Sequence, residues 1–433
     1  MENYSIVIFI LAIMIGFSAI ADKVKLPTPV LLIIAGVGIG FVPSLPDIEL
    51  DPEIVFLIFL PPLLYDAAFN INYQTFKTNI STISTLAISL VFVTAAGIAV
   101  VAHYMIPGMT WPVSFVLGAI LSATDAVAAM SITKGLGLSH KTNTILEGES
   151  LVNDASALVV YRFAVAAVTG AAFVFWKAGL VFLGLMAGGF LVGAVMSKIL
   201  AMIIQRIKQN SLAVISFMLL APFVTYRVAE ELHVSGVIAV VVLGLGIARF
   251  SSKVFPDSLK EQSKNIWDII IFLLNGLIFI FLGLQLPFVI KHIDSSQVWP
   301  YVGYSFVITV VALILLMWRV FGQRINLQKA FAKGKHKITE DALLDLKNCF
   351  IISWSGMRGI VSLAIAIGLP LKLADGTPFP QRNDIIFISV VVVLFTVVGQ
   401  GLTLPWIVRR LSKEQAAPAE VKPSRSRSTV IKP

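Results

Sequence analysis

Nine ionisable side chains fall inside strongly apolar stretches: Asp66, Asp125, Glu147, Glu149, Asp154, Arg162, Arg227, Glu230 and Arg358. Each costs at least about 2.5–3.5 kcal/mol to place in a bilayer, so each calls for a partner, a water-filled cavity or a function. The densest group is EGESLVNDASALVVYR, residues 147–162. On a helix, Ser150 and Asp154 share one face at i, i+4, and Glu149 and Asn153 share the next, about 100° round. One groove thus receives a carboxylate with a hydroxyl, and its neighbour a carboxylate with an amide. A carboxylate removed from water holds its proton closer to neutral pH. Given a few more oxygens, the same group holds a small alkali cation instead. Proton or cation, but never both, is the minimum chemistry of competitive exchange.

Two further clusters supply what such a carboxylate lacks. In GAILSATDAVAAMSITKGLG, residues 118–137, Thr124 and Asp125 sit mid-stretch among small residues and offer the backbone an alternative to helical hydrogen bonding. A broken helix there presents carbonyls to a cation and half-helix N-termini that Asp125 neutralises. In IISWSGMRGIVSLAIAIG, residues 351–368, Gly356 and Gly359 flank Arg358, which permits backbone opening and close helix approach. Glu149 is the anion nominated for Arg358, in a pair that supports the site rather than binding substrate. Asp66, after Pro61–Pro62, guards an inward-facing cavity, and Arg227 and Glu230 pair locally at i, i+3.

The elements that must position these groups are apolar blocks of roughly 18–25 residues, the length that crosses a bilayer as helix. Of 433 residues, 57% are hydrophobic and 13% charged, about half the charge that a soluble domain carries. Thirteen spans are expected, near 4–21, 29–43, 54–70, 82–105, 112–132, 145–175, 178–200, 211–230, 235–249, 267–290, 300–321, 346–370 and 384–408. Alternating the loops between two sides places 26 of the 33 basic residues on one of them, which sets the N-terminus outside and the C-terminus in the cytoplasm. The net charge of +9 is then topology rather than a nucleic-acid footprint. The first span reads as retained, and residues 412–433 read as a disordered basic tail. Spans 5 and 12 carry the two interruption signals, each second in a trio (4–6 and 11–13) and running in opposite directions. That is the pattern of an inverted-repeat transporter.

Together GESLVNDASALV, ATDAVAA and SGMRGIVSLA resemble the signatures of NhaP-type bacterial sodium/proton antiporters, in the cation:proton antiporter-1 family, across residues 1–411. The resemblance implies an all-α polytopic inner-membrane protein with two crossing interrupted helices and a homodimeric assembly. Its mobile core would comprise spans at 82–175 and 300–408, its dimerisation scaffold spans at 4–70 and 211–290, and its linker span 178–200. It also implies that Asp154 is the shared cation/proton carboxylate, with Ser150, Thr124 and Asp66 as further ligands for Na⁺ (or Li⁺ or K⁺). Asn153 fills the place of a second acid found in electrogenic relatives. Asp125, Glu149 and Arg358 become structural supports, and no cofactor is expected. Asp66 stands where the family usually has Glu, and Ala126 where Pro often follows Thr-Asp.

Because Asn153 does not titrate, one exchangeable charge remains, and electroneutral 1:1 exchange is expected. Potassium/proton exchange on the same scaffold is the alternative within transporters, and a cation channel the alternative outside them. An enzyme is disfavoured. The five histidines lie at span ends or in loops, and neither an HExxH nor a GxxxxGK[ST] motif occurs. Cys349 is the single cysteine, so no internal disulfide forms.

Overall fold

A computed structural model of the chain describes residues 2–24, 26–42, 52–71, 73–125, 140–168, 175–291, 293–332, 345–373 and 375–413. The second half of span 5, much of the basic loop before span 12 and the C-terminal tail lie outside them. The described residues are almost wholly helical and contain no strand beyond one isolated bridge, Lys372 with Pro378. The helices are α1 (Glu2–Val24), α2 (Thr28–Gly40), α3 (Pro52–Asn70), α4 (Tyr73–Met105), α5 (Trp111–Ile120), α6 (His140–Val168), α7 (Phe175–Ile207) and α8 (Ser211–Glu231). They continue with α9 (Gly236–Val254), α10 (Asp257–Lys291), α11 (Ser295–Ala332), α12 (Leu346–Trp354), α13 (Ile360–Ile367) and α14 (Arg382–Leu394). The last, α15 (Gly401–Lys413), follows α14 through a π-helical turn, Phe395–Gln400.

Within the described residues helix occupies at least part of each apolar stretch read from the sequence, and eight helices there are long and apolar enough to cross a membrane. Several ends carry the signals that the sequence offers. Asn210 accepts from the Ala213 N–H at the start of α8, Ser235 from Ile238 N–H at α9, and Asp345 from Leu346 N–H at α12. Leu180, Leu183, Phe190 and Leu191 on α7, and Ile314 and Trp318 on α11, point outward. In water such a perimeter would drive aggregation, whereas around a helical bundle it meets lipid.

Close approach is made with glycine. A Cβ on Gly36 of α2 would strike the Ile280 carbonyl of α10, and one on Gly283 of α10 would strike the Ile33 carbonyl of α2, so these helices touch backbone to backbone. Gly188, Gly189 and Gly193 of α7 pack in the same way on Val234, Ser235, Ala239 and Val242 at and along α9.

Span 12 is interrupted: α12 ends at Trp354, residues 356–359 are irregular, and α13 begins at Ile360. Span 5 stops too, with α5 ending at Ile120, a turn at Leu121–Ser122, and irregular backbone to Asp125. No proline makes this second break. Ser122 closes the end of α5, its N–H and hydroxyl both donating to the Ala119 carbonyl, and partners from span 12 take the freed groups beyond it.

Candidate functional site

Helix α6 runs unbroken past the site, so the i, i+4 relation holds as geometry. Asn153 Nδ2 donates to Glu149 Oε1 at 3.1 Å, one turn back on the same face. The same amide donates to Thr124 Oγ1 at 2.8 Å, and that hydroxyl donates onward to Glu149 Oε1 at 3.2 Å. On the adjacent face Ser150 Oγ donates to the Thr124 carbonyl at 2.9 Å. The irregular backbone of span 5 is therefore stitched to α6 through one residue, Thr124. Asp154 lies one turn beyond Ser150, 6% exposed, and its Oδ1 has no hydrogen-bond partner among the described residues; the same holds for Asn153 Oδ1. Two acceptor oxygens thus stay unspent at the core of a polar cluster, where burial without a partner costs about 1–3 kcal/mol each.

The two breaks cross and hold each other. The Asp125 N–H donates to the Met357 carbonyl at 2.7 Å, and Ser362 Oγ to the Ala123 carbonyl at 3.4 Å. Arg358, 1% exposed, donates from Nε to the Leu121 carbonyl at 3.1 Å and from Nη1 to the Gly356 carbonyl at 2.7 Å. Its positive fork therefore sits on the carbonyl-rich C-terminal ends of α5 and α12, the negative poles of both half-helices. The Asp125 carboxylate occupies the opposite pole. It packs so closely on Gly359, the N-terminal cap of α13, that a Cβ there would collide with it. One cation and one anion thus balance the exposed ends of the crossing.

This arrangement changes one expected contact. Glu149 and Arg358 act on each other's charge across space, but no direct hydrogen bond joins them among the described residues. Glu149 is satisfied by a hydroxyl and an amide instead, while Arg358 is satisfied by carbonyls. A guanidinium can reach two helix ends at once, which a single carboxylate acceptor would not repay. The local Arg227–Glu230 pair is also corrected. Arg227 pairs with Glu231, one full turn on, while Glu230 takes Arg162 of α6 through both carboxylate oxygens at 3.1 and 3.2 Å.

Asp66 is half-buried on α3, which packs against α6 and α13. It accepts from Asn70 Nδ2 at 2.8 Å, and no described hydrogen bond links it to the Thr124–Asn153 cluster. Sequence reasoning missed Thr396, whose hydroxyl bridges to the backbone of Arg358. It also missed Tyr161 and Arg382, which close the far end of α13. There Tyr161 donates to the Gly368 carbonyl, and Arg382 to the Leu369 and Ile367 carbonyls. The only signal is a polar residue within an apolar span for Thr396 and Tyr161, and a basic residue just before one for Arg382, and nothing in the letters names their distant partners.

Comparison with known proteins is made against this geometry. The family model described as sodium/hydrogen exchanger, transmembrane, matches residues 6–410. A protein of Mycobacterium bovis named as an uncharacterized Na(+)/H(+) exchanger is 34% identical over 438 residues, covering 98% of this chain and 77% of that protein. A sodium, potassium, lithium and rubidium/H(+) antiporter of Bacillus pumilus is 33% identical, covering 98% of this chain and 64% of that protein. The fold is similar to that of the sodium proton antiporter MjNhaP1 from Methanocaldococcus jannaschii at pH 8. The TM-score is 0.73 at 20% identity, covering 96% of this chain and all of that one. With its apolar helices and its match along nearly the whole chain, this multi-pass integral membrane protein belongs to the sodium/hydrogen exchanger family.

Proposed function

We propose that the chain exchanges Na⁺ (or Li⁺) for H⁺ by alternating access, one for one, with both ions competing for the Asp154 carboxylate. The observation that carries this is the buried Asp154 Oδ1, without a hydrogen-bond partner among the described residues, one turn from Ser150, which holds the Thr124 main chain. Two neighbouring acids are already engaged: Glu149 accepts from Thr124 and Asn153, and Asp125 packs against Gly359 at the start of α13. Asp154 is thus the carboxylate with a lone pair to give to a proton or an alkali cation. Ser150 and the Thr124 carbonyl add neutral oxygens at the right place to complete a cation's shell. Asp66, on an adjacent helix, is a further ligand on this reading, and Asn153 positions rather than titrates.

The broad cation range in the name of the Bacillus pumilus relative favours a second reading, K⁺/H⁺ exchange at the same carboxylate. One assay separates the two. Purified protein in proteoliposomes with an interior pH dye is challenged with Na⁺, Li⁺, K⁺ and Rb⁺ in turn. Na⁺ and Li⁺ are expected to move protons most strongly, and Asp154→Asn is expected to abolish the signal for every cation. Exchange that survives Asp154→Asn refutes the assignment. A stable current under opposed gradients refutes the one-for-one stoichiometry.

A further inference from the structure

Span 13 contains one departure from regular helix, the π-helical turn Phe395–Gln400. Such turns are uncommon, and where they occur they shift the side chains of one helix turn relative to the rest. Here the shifted residue is Thr396, 1% exposed in an apolar segment. A threonine in a transmembrane helix ordinarily spends its hydroxyl on its own preceding turn. Thr396 does this by donating to the Val393 carbonyl at 3.0 Å, but its Oγ1 also reaches out of the helix. It accepts from the Arg358 N–H at 3.1 Å and lies 3.2 Å from the Arg358 carbonyl oxygen. Both main-chain polar groups of the residue at the centre of the span 12 break therefore meet one hydroxyl.

What depends on that hydroxyl can be followed bond by bond. Arg358 fixed at its main chain directs its guanidinium to the Leu121 and Gly356 carbonyls. Its neighbour Met357 accepts the Asp125 N–H, and Asp125 lies next to Thr124. Thr124 holds Ser150 through its carbonyl and Asn153 through its hydroxyl, and these flank Asp154. We propose that Thr396 is a positioning residue of the exchange site, acting through the crossing of the two breaks without touching the transported ion. The inference rests on Asp154 being the exchange carboxylate.

Thr396→Val keeps the branched shape and removes the hydroxyl, whereas Thr396→Ser keeps the hydroxyl and removes a methyl. In the same dye assay, Thr396→Val is expected to raise the half-saturating Na⁺ concentration about tenfold, the effect of one buried hydrogen bond on a binding constant. Thr396→Ser is expected to restore it. Thr403→Val serves as a comparison on the same span, because Thr403 bonds the Trp354 indole at 2.9 Å and not the residues of the break. Its Na⁺ dependence is expected to be that of the parent. Thermal unfolding in detergent is measured for all three. Parent-like Na⁺ dependence in Thr396→Val overturns the inference, as does a serine variant as impaired as the valine variant. An equal loss in Thr403→Val, which would make the effect one of span 13 packing, overturns it too. If the parent itself moves no protons with any cation, the exchange reading fails instead, which keeps the two failures apart.

Discussion

At the level of single residues, the site is economical with hydrogen-bond donors. Asn153 supplies one amide nitrogen to two acceptors, Thr124 Oγ1 and Glu149 Oε1. Asn153→Ala leaves the buried Glu149 carboxylate with the Thr124 hydroxyl alone, and is expected to cost about 1–3 kcal/mol of stability. Asn153→Asp is expected to cost more, because it sets a second carboxylate one turn from Glu149 with only the Thr124 hydroxyl to donate between them. Thermal unfolding of the two variants in detergent checks the order, and an aspartate variant as stable as the parent contradicts it. The acid, amide and hydroxyl of this cluster were readable from the spacing 149, 150, 153, 154 alone, since helical geometry fixes which of them share a face. The true partners of Arg358 were not. A guanidinium sees any carbonyl within reach, and which carbonyls come within reach is decided by a chain crossing 237 residues away.

At the level of elements, the irregular backbone that ends α5 and the break in span 12 hold each other in place. Regular helix would satisfy more backbone groups locally, so the breaks persist because Asp125 N–H, Leu121 C=O and Gly356 C=O find partners across the crossing or within it, and Arg358 N–H finds one on span 13. Gly359 is the tightest point. Gly359→Ala forces a methyl into the Asp125 carboxylate, and overpacking of this kind costs about 1–3 kcal/mol. It is expected to abolish exchange, while Gly184→Ala, with open space around that position, is expected to exchange like the parent. Proton movement in proteoliposomes discriminates them, and a fully active Gly359→Ala protein would show that the crossing tolerates displacement. The span 12 break was legible from its glycines and the span 5 break from Thr-Asp in an apolar run. The π-turn of span 13 carries no comparable mark, because FTVVGQ reads as ordinary apolar helix.

At the level of the whole molecule, apolar block length was enough to mark where the helices fall, since a bilayer allows little else to cross it. How the helices pack was less accessible: the α2–α10 contact joins segments some 250 residues apart. On the proposed reading one carboxylate is shared, and protons and cations are expected to compete for it simply. Lowering pH by one unit is expected to raise the half-saturating Na⁺ concentration by up to about tenfold in the range where the carboxyl is protonated. The maximal rate at saturating Na⁺ is expected to stay unchanged. Initial rates over a grid of pH and Na⁺ test this, and a fall in maximal rate with unchanged half-saturation points to a separate proton-sensing group.

The Arg162–Glu230 pair gives this behaviour a physical setting. It ties α6, eight residues beyond Asp154, to α8, and its side chains are 41% and 28% exposed. Charges that open to solvent are screened within roughly 8 Å at physiological salt and within about 3 Å at molar salt. Where this end of α6 meets the aqueous phase, the tie slackens as the medium becomes saltier. Ionic strength, independently of which ion is carried, thereby reaches the helix that carries Asp154, the carboxylate proposed to exchange.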